Sequence, residues 1–194
     1  MSEYSPVSQA AFEAKYRQSG DPWNFAGSRY ERARYELTLR SLMRTRYRRA
    51  FEPACSIGVL TAALAERCDE VHATDIAPSA TAMARKRCAN LPWVTISCAD
   101  LATQRPEGPF DLIVFSEIGY YFTQARLTRI ARSLSATLET GGELISVHWL
   151  GTSEDHLLHG DQVHANLRDA LTQSCAWIKG ARHPGFRLDT WRRT

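Results

Sequence analysis

Three observations predict an α/β fold built on a mostly parallel sheet. Short apolar runs alternate with helical stretches from Phe51 to His148, the pattern of strand–helix–strand units. The stretch Phe51-Glu52-Pro53-Ala54-Cys55-Ser56-Ile57-Gly58-Val59-Leu60-Thr61 reads as a strand entering a tight turn that opens a helix. Four strands end in polar or acidic residues, at Asp75, Asp100, Ser116-Glu117 and His148, and that carboxyl edge is where open parallel sheets bind ligands.

Each element follows from its residues. Ser8 to Gln18 reads as a helix with Ala11, Phe12 and Tyr16 on one side, broken at Ser19-Gly20-Asp21-Pro22-Trp23. Ser28 is an N-cap with Glu31 in the capping-box position. It opens a helix expected to run to about Arg46, with Tyr35, Leu39, Leu42 and Met43 on one face. Residues 1–50 therefore form a helical layer over a sheet face, suited to act as a lid, and residues 51–194 form the core. The densest charge cluster is Arg44-Thr45-Arg46-Tyr47-Arg48-Arg49. The solvated end of a helix is favoured over a nucleic-acid contact, because a basic last turn suits the helix dipole.

In the Phe51–Thr61 turn, small side chains let the backbone approach a ligand. The helix from Val59 to Arg67 aims its N-terminal N–H groups at that ligand. Val71 to Asp75 is the next strand. Asp75 falls about 20 residues after the turn, where a carboxylate can take a ribose hydroxyl. A helix from Ala77 to Asn90 and a strand from Val94 to Cys98 follow, then Asp100-Leu101 at the strand end. After a turn over Pro106 to Pro109, Phe110 to Glu117 reads as a strand buried on both faces. A helix from Gln124 to Leu138 ends at Gly141-Gly142, and a strand runs from Glu143 to His148. Between Gly151 and His164 lie His156, His159 and His164, with Asp155 and Asp161 nearby. Their spacing does not match a helical ligand pair, so no metal site is expected. A polar, substrate-facing loop is expected instead, with His148 or His164 as proton acceptor. Asp161 to Gln173 is the last helix. Ala176 to Arg182 and Phe186 to Arg192 read as a hairpin around His183-Pro184-Gly185.

The whole suits one domain with a sizeable core. A formal net charge of +3 argues against a dedicated nucleic-acid binder. Five cysteines without paired metal spacing suggest reduced thiols in a cytoplasm. With no signal pattern at the N-terminus and no long apolar run, neither secretion nor membrane insertion is expected.

Asp21-Pro22-Trp23, Ser28-Arg29-Tyr30-Glu31 with Arg34-Tyr35, Glu52 through Thr61, Phe110 through Val114 with Ser116-Glu117 and Tyr120-Tyr121, and Gly141-Gly142 together give the chain a resemblance. It resembles the class I S-adenosylmethionine-dependent methyltransferases, and within them the NodS-like group, named for a nodulation N-methyltransferase acting on chitooligosaccharide. The resemblance covers nearly the whole chain. It implies a Rossmann-like class I methyltransferase fold: a seven-stranded, mostly parallel sheet with a C-terminal antiparallel hairpin. It also implies S-adenosyl-L-methionine as cofactor. Near it would lie Trp23, Tyr30, Arg34, Glu52, Ala54, Cys55, Ser56, Gly58, Asp75, Ile76, Asp100, Leu101, Ser116 and Glu117. The loop after Phe115 would face the methyl group, making Glu117, Tyr120 and His148 the catalytic candidates. The acceptor would be an amine or hydroxyl of a small molecule, such as an amino sugar or oligosaccharide. An Asn-Pro-Pro-Tyr loop, typical of enzymes acting on nucleobase amines, is absent. A homodimer is compatible with the sequence.

Three other readings remain open at this point. One is an RNA or other small-molecule O-methyltransferase; an RNA-end enzyme would need a basic groove and a histidine-rich metal site. Another is a catalytically inactive scaffold. The last is a nicotinamide-linked enzyme, whose fingerprint wants glycine where Ala54 and Ser56 stand. Alanine tolerates positive φ poorly, so Ala54 predicts a strained turn and weakened cofactor binding. Pro53 removes one strand-end N–H.

Overall fold

In a computed structural model that describes residues 8–104 and 107–194, one seven-stranded sheet carries the chain. The helices are α1 (Gln9–Gln18), α2 (Arg29–Ser41), α3 (Val59–Leu64), α4 (Pro78–Arg87), α5 (Gln124–Thr137) and α6 (Gly160–Leu171). The strands are β1 (Tyr47–Pro53), β2 (Cys68–Asp75), β3 (Val94–Cys98), β4 (Phe110–Ser116), β5 (Leu138–Trp149), β6 (Cys175–His183) and β7 (Phe186–Arg193). Their order is β3-β2-β1-β4-β5-β7-β6. The first five are parallel, and β7 runs antiparallel to both β5 and β6. The chain reverses direction across the sheet between β1 and β4, which opens a crevice at their carboxyl ends.

Local chemistry sets the boundaries. Ser28 Oγ accepts the Glu31 N–H and starts α2; Thr123 Oγ1 does the same for Arg126 in α5. In β4, Leu112 to Phe115 are fully buried, as a strand covered on both faces requires. Buried Asp111 is satisfied by the Arg48 and Arg49 N–H groups at 2.9 and 2.8 Å. Apolar side chains pack on both faces of the sheet. Phe51 and Phe110 stack at 5.3 Å on one face, and Tyr47, Leu64, Val71 and Leu112 cluster on the other.

Several boundaries differ from expectation. Helix α2 stops at Ser41, and Tyr47 to Arg49 already belong to β1, so the split placed between residues 50 and 51 falls inside a strand. The arginine cluster is therefore not a helix end. Its Tyr47 is buried against Glu143, and its side chains pair with Asp69, Glu70, Asp111 and Glu139. These ion pairs neutralise the patch. Helix α3 ends at Leu64 and β2 begins at Cys68. Helix α4 is shorter than expected at both ends. Gly141, at φ 78°, lies inside β5, where the pairing with β4 shifts register between Phe110 and Leu112. Of the turn expected over Pro106 to Pro109, Pro106 lies outside the described residues.

Helices α1 and α2 lie against the carboxyl edge. Glu13 of α1 accepts the Ser79 N–H and hydroxyl at the start of α4, at 2.9 and 2.6 Å. The Gln9 amide donates to the Ile76 carbonyl at 2.9 Å. Lys15 reaches Asp155, beyond β5, at 2.6 Å.

Candidate active site

A cleft of about 1010 Å³ opens at the carboxyl edge beneath α1. Its floor is the turn after β1. Ala54, Ser56 and Gly58 there have φ of 58°, 51° and 77°, all left-handed, and only the last suits its residue. Side-chain bonds hold Ser56. Asp75 Oδ2 accepts the Ser56 N–H at 2.9 Å, and its Oδ1 accepts the Ala77 N–H at 2.9 Å. The Tyr16 hydroxyl meets Ser56 Oγ at 2.6 Å. Burial pushes Asp75 up to about 6 despite those N–H donors.

Beside the turn is a recess of about 30 Å³ lined by Arg34, Glu52, Cys55, Ser56 and Ser116. Glu52 is 3 % exposed and accepts the Thr61 hydroxyl at 2.6 Å; burial pushes it up to about 8. Arg34 is 1 % exposed and sits between two acids. Its Nη2 bonds Glu31. Nη1 lies 2.5 Å from Glu117 Oε1, an ionic contact without hydrogen-bond alignment. Nε has no partner among the described residues.

Glu117 ends β4 in a left-handed conformation, φ 57°. Besides Arg34 it accepts the Tyr120 hydroxyl at 2.8 Å and the Trp149 N–H at 2.7 Å. A 3₁₀ turn, Gly119–Tyr121, follows. Burial raises the Tyr120 and Tyr121 hydroxyls well above the ordinary tyrosine range. The wall also includes Trp23, Tyr30, Ile76, Asp100, Leu101, Trp149 and His156. Asp100 Oδ1 accepts the Ala102 N–H at 2.8 Å.

Two expected residues stand elsewhere. His148 is fully buried and does not line the cleft. Its Nε2 accepts the Gly119 N–H at 2.9 Å, so its ring proton sits on Nδ1, between Ser146 Oγ at 3.1 Å and His164 Nε2 at 3.4 Å. His164 is buried too, and its Nδ1 donates to Asp189 Oδ2 at 2.6 Å. Neither ring can take a substrate proton; the chain Asp189–His164–His148 holds the Gly119 turn. Gly58 also lies outside the cleft wall. A Cβ there would meet Ala84 Cβ at 3.0 Å, so its place is to let α3 approach α4.

A sequence profile of the nodulation protein S family matches residues 9–173. The chain belongs to that family. Nodulation protein S of Rhizobium tropici is 33% identical over 165 residues, which is 79% of this chain and 66% of that protein. The Sinorhizobium fredii counterpart is 29% identical over 153 residues, 76% of this chain and 63% of that protein. The chain thus spans about two thirds of the length of these curated relatives. A Pseudomonas syringae protein assigned as a methyltransferase is 39% identical, with a TM-score of 0.73 over 84% of this chain and 99% of its own. The N-methyltransferase NodS of Bradyrhizobium japonicum, solved with S-adenosyl-L-homocysteine, is 21% identical, with a TM-score of 0.83 over 96% of this chain and 98% of its own. The fold is that of the class I methyltransferases.

Among the cleft residues, Phe12, Tyr16, Arg126 and Trp149 are not singled out by the sequence, whereas His156 falls in the loop expected to face the substrate. Tyr16 was legible only as a helix face, since its partner Ser56 is 40 positions away. Nothing in the spacing of that loop sets His156 apart from His159 and His164.

Proposed function

We propose that this chain is an S-adenosylmethionine-dependent N-methyltransferase whose acceptor is a primary amine of a small molecule, an amino sugar or its oligomer. The observation that carries the reading is the Ala54–Ser56 turn. A left-handed alanine and serine at the floor of the cleft, the serine held by Asp75 and Tyr16, are strain retained at a ligand site.

The residues present fit the cofactor. An unpartnered, buried Arg34 Nε beside the turn supports a place for a carboxylate. Glu52 in the same recess suits an ammonium. Asp75 keeps a free lone pair on each oxygen for hydroxyl donors, and Leu101 and Ile76 offer apolar surface. Bound, the cofactor supplies an electrophilic methyl on a sulfonium. Everything else is the work of the chain: orienting the acceptor and excluding water.

The acceptor side is acidic and aromatic. Among the described residues, Glu31, Asp75, Asp100 and Glu117 line the cleft with Arg126 the one cation of its wall; Arg34 behind it pairs with Glu31 and Glu117, and the lining keeps a net negative charge. Such a field attracts a cationic amine and repels a polyanion such as RNA, and the faces of Tyr30, Tyr121 and Trp149 suit an ammonium. Glu117 already holds Arg34, Tyr120 and Trp149, so it shapes the loop and supplies negative field rather than taking a proton.

The test uses glucosamine oligomers with S-adenosylmethionine, read by mass spectrometry. The expected result is one added methyl on the free amine and none on the fully N-acetylated oligomer. Equal methylation of both would contradict the amine reading.

A further inference from the structure

The geometry points to His156 as the catalytic base that removes the proton from the acceptor's ammonium. This rests on the amine reading above. His156 lies on the loop after β5 and lines the cleft. Its ring stacks on Tyr120 at 3.8 Å and meets Tyr121 edge-on at 5.1 Å. Its side chain is only 9% exposed, yet its nearest charged partner, Asp155 Oδ1, is 4.0 Å from Nε2, beyond hydrogen-bond reach. No bond to either ring nitrogen exists among the described residues. Neither ring nitrogen is among the fully buried, unpartnered atoms of the described residues, so the ring opens to the cleft, where an acceptor amine can reach it.

Other titratable groups of the site are already engaged: Glu31 pairs with Arg34, and Asp100 accepts the Ala102 N–H. His148 and His164 bond each other, Gly119 and Asp189 within the core. Glu117 carries three partners. The Tyr120 hydroxyl donates to Glu117, and burial holds its proton on. Asp75 lies on the cofactor side, where the Ser56 and Ala77 N–H groups fix its two oxygens and the cofactor's hydroxyls would take the remaining lone pairs.

His156 is also in the right state. Burial pulls its pKa below the ordinary value, against the pull of Asp155 and Glu117 and with that of Lys15 and His159. The ring is therefore neutral at pH 7 and free to accept. In the step, an ammonium N–H bond breaks and its electron pair stays on nitrogen as the attacking lone pair. The proton forms an N–H bond on the imidazole. The resulting imidazolium sits beside Asp155, which Lys15 of α1 fixes in place at 2.6 Å, and gives its proton to water at the mouth by exposed Leu157.

The experiment compares wild type with His156→Gln and His156→Asn on a glucosamine oligomer from pH 6 to 9, with S-adenosyl-L-homocysteine affinity measured in parallel. Both variants should bind that ligand as wild type does and lose about 10²- to 10⁴-fold in kcat at pH 7, the usual worth of a positioned base. The loss should shrink as pH rises and neutral amine comes from solution. A loss of the same size at every pH, or one under threefold, would overturn the assignment while leaving the amine reading intact. A wild type that binds S-adenosyl-L-homocysteine yet methylates no amine would overturn both.

Discussion

Replacing Ala54 with glycine should make the protein more stable. Ala54 sits at φ 58°, where an L-residue is held at a cost of roughly 1 to 2 kcal/mol. Glycine lifts that cost and gives back about 0.4 to 1 kcal/mol through its freer unfolded chain. From the middle of each range the net gain is about 0.8 kcal/mol. In a domain of this size each kcal/mol moves Tm by about 2 to 4 °C, so a rise of about 1 to 4 °C is expected. Ala62→Gly, within α3, is the control; with no left-handed strain to relieve, it should lose about 1 kcal/mol. Thermal unfolding by circular dichroism reads both. S-adenosyl-L-homocysteine should bind Ala54→Gly at least as tightly as wild type, since glycine takes the same left-handed conformation without strain and Ser56 keeps its bonds to Asp75 and Tyr16. If Ala54→Gly lowered Tm as the control does, the turn would not be strained and the reasoning from its conformation would fail.

His148→Leu should destabilise the fold by about 3 kcal/mol in urea, because it strands the Gly119 N–H and one face of His164 in the core; a loss under 1 kcal/mol would contradict the positioning role. Glu52 is pushed up to about 8 from an ordinary 4.5, so its contribution to stability is complete below pH 4.5 and is lost as pH rises through 8. Glu52→Gln keeps the neutral form at every pH, and should be the more stable protein at pH 8.5 by at least about 1 kcal/mol; denaturation curves with identical pH slopes for the two proteins would refute it.

The sheet was legible wherever one residue type answers one local demand. The apolar run of β4 needs two buried faces, Ser28 and Glu31 together start a helix, and Val94 to Cys98 matches β3 as read. The carboxyl-edge acids Asp75, Asp100 and Glu117 were legible because strand ends are local. What escaped was set by distant partners. Tyr47 enters β1 because Glu143 and Asp111, far along the chain, receive its hydroxyl and its neighbours' N–H groups. His148 reads as a strand-end base, yet the Gly119 turn folds back over it and α6 seals it with His164. His156 faces the cleft only because the loop after β5 packs on Tyr120. No spacing in the sequence reports either event.

The central claim is that the turn after β1 holds an S-adenosylmethionine-type ligand. Calorimetric titration with S-adenosyl-L-homocysteine, with NADH as the comparison, tests it most directly. Micromolar binding of the first and none of the second is the predicted result. No binding of S-adenosyl-L-homocysteine by the folded protein would contradict the account and leave the fold as a scaffold.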